Sequence, residues 1–147
     1  RPPRSTPSNS SAASDVYKRQ VLSQCAWSCQ RSARFGPWIV MRTYHTGMKK
    51  LAPVMVFNVE EDPHELHDLA DERPQIANEG LAILDRWHAD MMNSSTSQVD
   101  PLWNVMKEGG PYHTRDAARR YAERLRATGR DEHARWIEER NGGYLPH

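Results

Sequence analysis

The chain has 147 residues, 37% of them hydrophobic, with 10 prolines and 8 glycines, which suffices for one domain with a small core. Its 20 basic and 19 acidic residues leave a net charge of +1. It has neither the dominant basic face that nucleic acid demands nor an apolar run of bilayer length, so no nucleic acid and no membrane is expected as a partner.

Residues 1–20 are rich in Ser, Pro and Ala without periodicity, a composition that cannot bury enough surface to offset ordering entropy, so a disordered tail is expected. They lack the apolar core of a signal peptide. Asp15-Val-Tyr-Lys-Arg-Gln20 also looks like the translated end of a transposon-derived sequencing adapter, of the kind left in metagenomic reads, and is set aside from fold reasoning. Two cysteines, Cys25 and Cys29, are too few for a disulfide framework. Their C-x-x-x-C spacing fits neither the redox motif nor half of a usual zinc pair, so the compartment stays open.

From Val21 to Trp27 the composition predicts a short strand, followed by a polar connection, Cys29 to Arg34, and a turn at Gly36-Pro37. Trp38 to His45 reads as a central strand. Trp38, Val40, Arg42 and Tyr44 share one face, and Ile39, Met41, Thr43 and His45 the other. Thr46 to Pro53 connects it to a strand over Val54–Val59, and the two should form an antiparallel hairpin. Asp62, Pro63 and Glu65 carry the marks of an N-cap, a first helical position and a capping box, which predicts one helical turn with Leu66 and Leu69 inward.

Pro74 opens a long helix on which Ile76, Ala77, Gly80, Leu81, Leu84, Trp87, His88 and Met91 recur at helical spacing, with Trp87 and Met91 read as core. Asn93 to Gln98 ends it. Asp100 caps a short helix to Glu108, stopped by Gly109-Gly-Pro111, and Tyr112 to Arg115 reads as irregular chain. Thr114 then caps a helix to Ala127 with Ala118, Tyr121, Ala122 and Leu125 as its apolar stripe and Gly129 at its end. Asp131 caps another from Glu132 to Arg140, anchored by Trp136 and Ile137 and ended by Asn141-Gly-Gly143. The predicted fold is α+β: a small antiparallel sheet packed by one long helix, then short peripheral helices. The sheet and long helix occupy residues 21–113, and 114–147 form a helical extension.

Phe57-Asn-Val-Glu-Glu-Asp-Pro-His-Glu-Leu-His-Asp-Leu-Ala70 resembles the F/Y-D-L-x-x-D-P-x-E-x-x-N-L-A segment near the C-terminus of sulfatases, in the alkaline-phosphatase-like superfamily. Asn58 stands where Asp is usual and Asp68 where Asn is usual. Both swaps keep a short side chain that can bond nearby backbone. Arg34-Phe-Gly-Pro-Trp-Ile-Val-Met-Arg42 is similar to the family's R-x-x-x-W-K-Y-I-R strand, with Ile39 and Val40 in place of Lys-Tyr. The likeness runs over roughly residues 21–115.

The resemblance implies a parent enzyme that hydrolyses sulfate esters of a small molecule or glycan. Its nucleophile would be formylglycine, made from the cysteine of a C-x-P-S-R motif, beside a calcium ion. Neither Cys25 nor Cys29 fits that motif, so the nucleophile and metal ligands belong to an N-terminal catalytic domain, which is the expected partner. This chain alone is expected to be inactive. One alternative is a fragment of a phosphodiesterase or phosphonate monoester hydrolase of the same superfamily. Another is a non-catalytic interaction module that uses the charged helices 115–140.

Arg42, Tyr44 and His45 lie at a strand end, where an arginine can bind a sulfate bidentately and a histidine can donate a hydrogen bond. Local sheet-edge contacts account for Arg42 and His45 more simply. The loop Gly109-Gly-Pro-Tyr-His113-Thr-Arg115 combines glycines with an imidazole and a guanidinium, so His113 and Arg115 complete a candidate substrate-pocket rim, although a plain turn with a helix cap also explains it. His64-x-x-His67-Asp68 has i, i+3 spacing for a metal, yet without a third fixed ligand these read as solvated polar residues.

Overall fold

The computed structural model describes residues 19–115 and 117–141. Four strands, β1 (Arg19–Gln24), β2 (Cys29–Phe35), β3 (Trp38–His45) and β4 (Val54–Asn58), pair in sequence order as an antiparallel meander. Five helices follow: α1 (Pro74–Ser94), α2 (Pro101–Lys107), α3 (Tyr112–Arg115), α4 (Ala118–Ala127) and α5 (Asp131–Asn141). The α+β class and the single long helix across the sheet are as expected. Among the described residues no helix is long and apolar enough to cross a membrane.

Register explains why the helix sits where it does. Val21 faces Ala33, Ala33 faces Val40 and Val40 faces Val56, so one row of small or β-branched side chains crosses all four strands. α1 lies on that row with Ala77, Ile83 and Leu84 buried, and Phe35, Trp38, Val54 and Leu69 close its flanks. The β2–β3 turn is two residues long. Gly36, at φ +54°, supplies the positive dihedral such a turn requires.

Three expectations about the sheet are corrected. Cys29 to Phe35 is not a polar connection but β2, in which Arg31, Ala33 and Phe35 are buried in alternation; the charge of Arg31 hides the strand period. Arg19 and Gln20, assigned to the disordered tail, pair with Phe35 and Arg34 in β1, while the rest of that tail lies outside the described residues. The segment after β4 forms turns rather than a helical turn, because Glu65 adopts a positive φ of 53° that no helix accommodates. Leu66 is consequently 74% exposed, whereas Leu69 packs inward as expected.

Along α1 the stripe holds as far as Leu84, with Ile83 buried beside it. Its last turns depart from expectation: Met91 is 45% exposed and Trp87 half-buried. They have left the apolar row, and Trp87 lies under the Arg31 guanidinium, 5.0 Å from its ring centre.

The two terminal helices build a second, smaller core from Ala118, Ala122, Leu125, Ala134 and Ile137, with Met48 of the β3–β4 connection and Trp136 against it. Three alanines at this contact let the helices approach closely. The Arg130 N–H donates to Leu125 O at 2.8 Å around Gly129, closing α4. Thr114 does not cap α4: it is buried in α3, which replaces the expected irregular stretch, and its hydroxyl donates to Pro111 O at 2.7 Å. Asp131 falls inside the first turn of α5, where its charge favours the helix dipole. Gly142 and Gly143, expected to end this helix, lie outside the described residues.

Candidate functional site

The proposed rim residues separate on folding. Arg42 points to the helix face of the sheet and makes a bidentate ion pair with Asp85 of α1, whose carboxyl this guanidinium holds below the usual carboxylate range. The pair is partly exposed, so it latches helix to sheet weakly. Tyr44 stands edge-on to Trp103 of α2, ring centres 5.2 Å apart. His113 and Arg115 belong to α3 by backbone, and their side chains lie outside the described residues.

His45 follows an irregularity in the β2–β3 register, where Cys29 pairs with His45 and Gln30 with Thr43. Its Nδ1 accepts the Gly47 N–H at 3.0 Å, and its ring lies so close to Gly110 that a Cβ there would come within 2.4 Å of Cε1. Burial, and then the Arg140 guanidinium, push its pKa below the ordinary histidine value. The neutral ring is also the form whose Nδ1 can accept. The unfolded chain therefore takes up this proton near pH ~6.5 while the folded chain does not, so acidification through that value lowers stability. In an NMR titration His45 should show a midpoint below that of a free histidine, and Arg140→Gln should raise it; a midpoint unmoved by R140Q would disprove the electrostatic contact.

Beside the predicted rim lies a network that the sequence did not reveal. Arg31 of β2 donates Nη1 and Nη2 to the two carboxylate oxygens of Asp100 at 2.6 and 2.7 Å, and both side chains are buried. Asp100 also accepts the Leu102 N–H at 3.0 Å, acting as the expected α2 cap. His88 Nε2 sits 3.0 Å from Asp100 Oδ2, off the line of a hydrogen bond. The guanidinium is flanked by Trp87 and Tyr44. Above this network opens a largely apolar cavity of about 390 Å³, walled by Trp87, Met91, Met92 and Val99.

The 57–70 segment is occupied with backbone rather than with a ligand. Asn58 Oδ1 accepts from the Glu60 and Glu61 N–H groups, and Asp62 Oδ2 accepts from those of Leu66 and His67 at 2.7 and 2.8 Å. These bonds, that of His67 first, hold the Asp62 carboxyl below its ordinary pKa. Asp68 Oδ1 accepts from Val56 N–H at 2.9 Å and Ala70 N–H at 3.0 Å, fastening the loop over the β4 edge. His67 faces Asp62, so His64, His67 and Asp68 do not converge. Among the described residues no group of three His, Cys, Asp or Glu is placed to hold a metal ion.

Because each of these side chains serves as an acceptor, amide and carboxylate are interchangeable there. Asp68→Asn should leave stability within about 0.5 kcal/mol, whereas Asp68→Ala, which orphans a half-buried strand N–H, should cost about 1–3 kcal/mol in urea denaturation. Equal losses in the two variants would show that the charge, not the acceptor, matters.

Near the strand end a cleft of about 490 Å³ opens between the β3–β4 connection and α5. It is lined by Thr43, Tyr44 and Thr46, then Lys50 to Pro53, then Trp136 and Arg140. Of the predicted rim residues whose side chains are described, only Tyr44 reaches it. Lys50 and Arg140 were not singled out from sequence, since charges on a connection and on a surface helix have no distinctive spacing. In comparisons with known proteins, no family model matches the chain and no curated protein matches it significantly.

Proposed function

We propose that the chain is the C-terminal subdomain of a sulfatase, a hydrolase of sulfate esters, and that it buttresses an upstream catalytic domain rather than performing chemistry itself. The observation that carries the reading is the 57–70 segment. It follows a strand hairpin bearing the Arg34–Arg42 similarity, and its Asn58, Asp62 and Asp68 all act as backbone acceptors. That shared role accounts for the two departures from the family pattern, because Asn for Asp and Asp for Asn preserve an acceptor oxygen.

Formylglycine and calcium would supply the nucleophile and the charge stabilisation in the parent, and none of this chain's residues is assigned to either. The face of the sheet opposite α1, where Leu22, Ile39 and Met41 are only partly covered, is the surface offered to the upstream domain.

The test has two parts. The 147-residue chain should release no product from an aryl sulfate; turnover would overturn the reading. The coding DNA upstream of Val21 should encode an α/β domain with C-x-P-S-R. Ser or Thr at the nucleophile position would instead assign the parent to phosphoryl transfer, and a natural start near Val21 would make the chain an interaction module.

A further inference from the structure

We propose that His88, Met91 and Met92, in the last turns of α1, form a binding site for a soft monovalent metal ion, Cu(I) or its analogue Ag(I). The three stand at i, i+3 and i+4 of one helix, the spacing that brings side chains to one face with Cβ atoms about 5–6 Å apart. All three line the same cavity of about 390 Å³. Each methionine has three rotatable bonds with which to bring its sulfur to a common point.

The histidine is half prepared. Its Nε2 is buried and faces Asp100 Oδ2 at 3.0 Å without a hydrogen bond. Metal-bound histidines turn their second nitrogen to such a carboxylate, which fixes the tautomer and raises the basicity of the first. An ion on Nδ1 keeps the proton on Nε2 and lets the ring settle onto Asp100, so binding repairs an orphaned buried nitrogen. Met91 is 45% exposed although its helical spacing assigns it to the core, and a metal on its sulfur accounts for that position.

The donor set selects the ion. Thioethers and a neutral imidazole favour Cu(I) over calcium or magnesium, which take oxygen ligands. Asp100 is the one carboxylate among the described lining residues, and both its oxygens already accept from Arg31. Three neutral donors beside a net-neutral Arg31–Asp100 pair offer nothing to offset a second positive charge, so a monovalent ion fits best. An apolar organic molecule would fill the cavity but leave Nε2 unpaired. The site does not rest on the sulfatase reading, since neither a sulfate ester nor calcium enters it.

The test titrates the 147-residue chain, its exposed Cys25 thiol first blocked with iodoacetamide, with silver nitrate in chloride-free buffer, followed by NMR of isotope-labelled methionine methyls. Ag(I) should shift the Met91 and Met92 methyls and the His88 ring together and leave the methyls of Met41 and Met55 in place. Cu(I), kept reduced with ascorbate, should give the same pattern. The double variant Met91→Leu/Met92→Leu keeps volume and helix propensity, so its circular dichroism should be unchanged while binding weakens about tenfold or more. Three results would overturn the proposal: silver taken up with the Met91 and Met92 methyls unmoved, as uptake by a thiol alone would leave them; the double variant binding as tightly as the parent; or calcium nitrate producing the same shifts.

Discussion

Asp100→Ala should destabilise the protein by about 3–5 kcal/mol, the penalty for leaving a buried guanidinium without its carboxylate. Arg31 and Asp100 are 7% and 2% exposed at the side chain, and the substitution removes both charge-assisted bonds to Arg31. It also uncaps α2 at Leu102. Asp100→Asn keeps an oxygen for the cap and one bond to Arg31, so its loss should be intermediate. Replacing both partners, as in Arg31→Met with Asp100→Leu, should cost less than Asp100→Ala alone, because no charge is then stranded. Urea midpoints of the three variants decide the matter; a double substitution as damaging as the single one would mean that shape, not charge, holds this corner.

The same pair predicts a pH dependence. Hydrogen bonding from Arg31 holds the Asp100 pKa below its ordinary value, outweighing the opposing effect of burial. The unfolded chain therefore binds this proton near pH ~3.9, while the folded chain does so only at lower pH. The pair's stabilisation is complete above that value and is lost as pH falls through the folded pKa. Stability of the parent chain should fall below pH ~4 more steeply than that of Asp100→Ala. Parallel curves would contradict the assignment.

Why this corner escaped the sequence while the hairpin did not is a matter of range. Trp38–His45 and Val54–Asn58 announce themselves through β-branched and aromatic runs between proline and glycine breaks, all local signals. Arg31 and Asp100 lie 69 positions apart, and nothing near either names the other. Arg31 further disguises β2, since a charge on the buried face breaks the alternation that identifies a strand. Thr114 and Met91 failed for a related reason. Capping preference and helical spacing say what a residue can do, while packing decides whether it has the occasion: Thr114 is enclosed in α3, and Met91 lies where α1 has left the apolar row. Arg42 and Tyr44 lie on the helix side of the sheet that period two gives them, while an irregularity in the β2–β3 register, where Cys29 pairs with His45 and Gln30 with Thr43, interrupts the alternation before His45. What could not be read was that Asp85, Trp103 and Gly110 would occupy Arg42, Tyr44 and His45.

Gly80→Ala tests whether α1 is truly seated on the central strand. A Cβ at Gly80 would lie 2.3 Å from Val40 Cβ and 2.5 and 2.7 Å from its two methyl carbons. Val40 is fully buried in β3 between Ala33 and Val56, so its branched side chain has nowhere to turn. The helix must therefore lift from the sheet, loosening Ala77, Ile83 and Leu84 together. Overpacking of this kind costs about 1–3 kcal/mol, and a lifted helix belongs at the upper end; better helix propensity of alanine returns about 1 kcal/mol. A net loss of about 2 kcal/mol is expected by chemical denaturation. Val40→Ala, destabilising alone because it leaves a void, makes room for the new methyl. The double variant should then be more stable than the sum of the single losses by about 1–3 kcal/mol. Additive losses would mean that Gly80 and Val40 do not meet, and that α1 crosses the sheet elsewhere than on the Val21–Ala33–Val40–Val56 row.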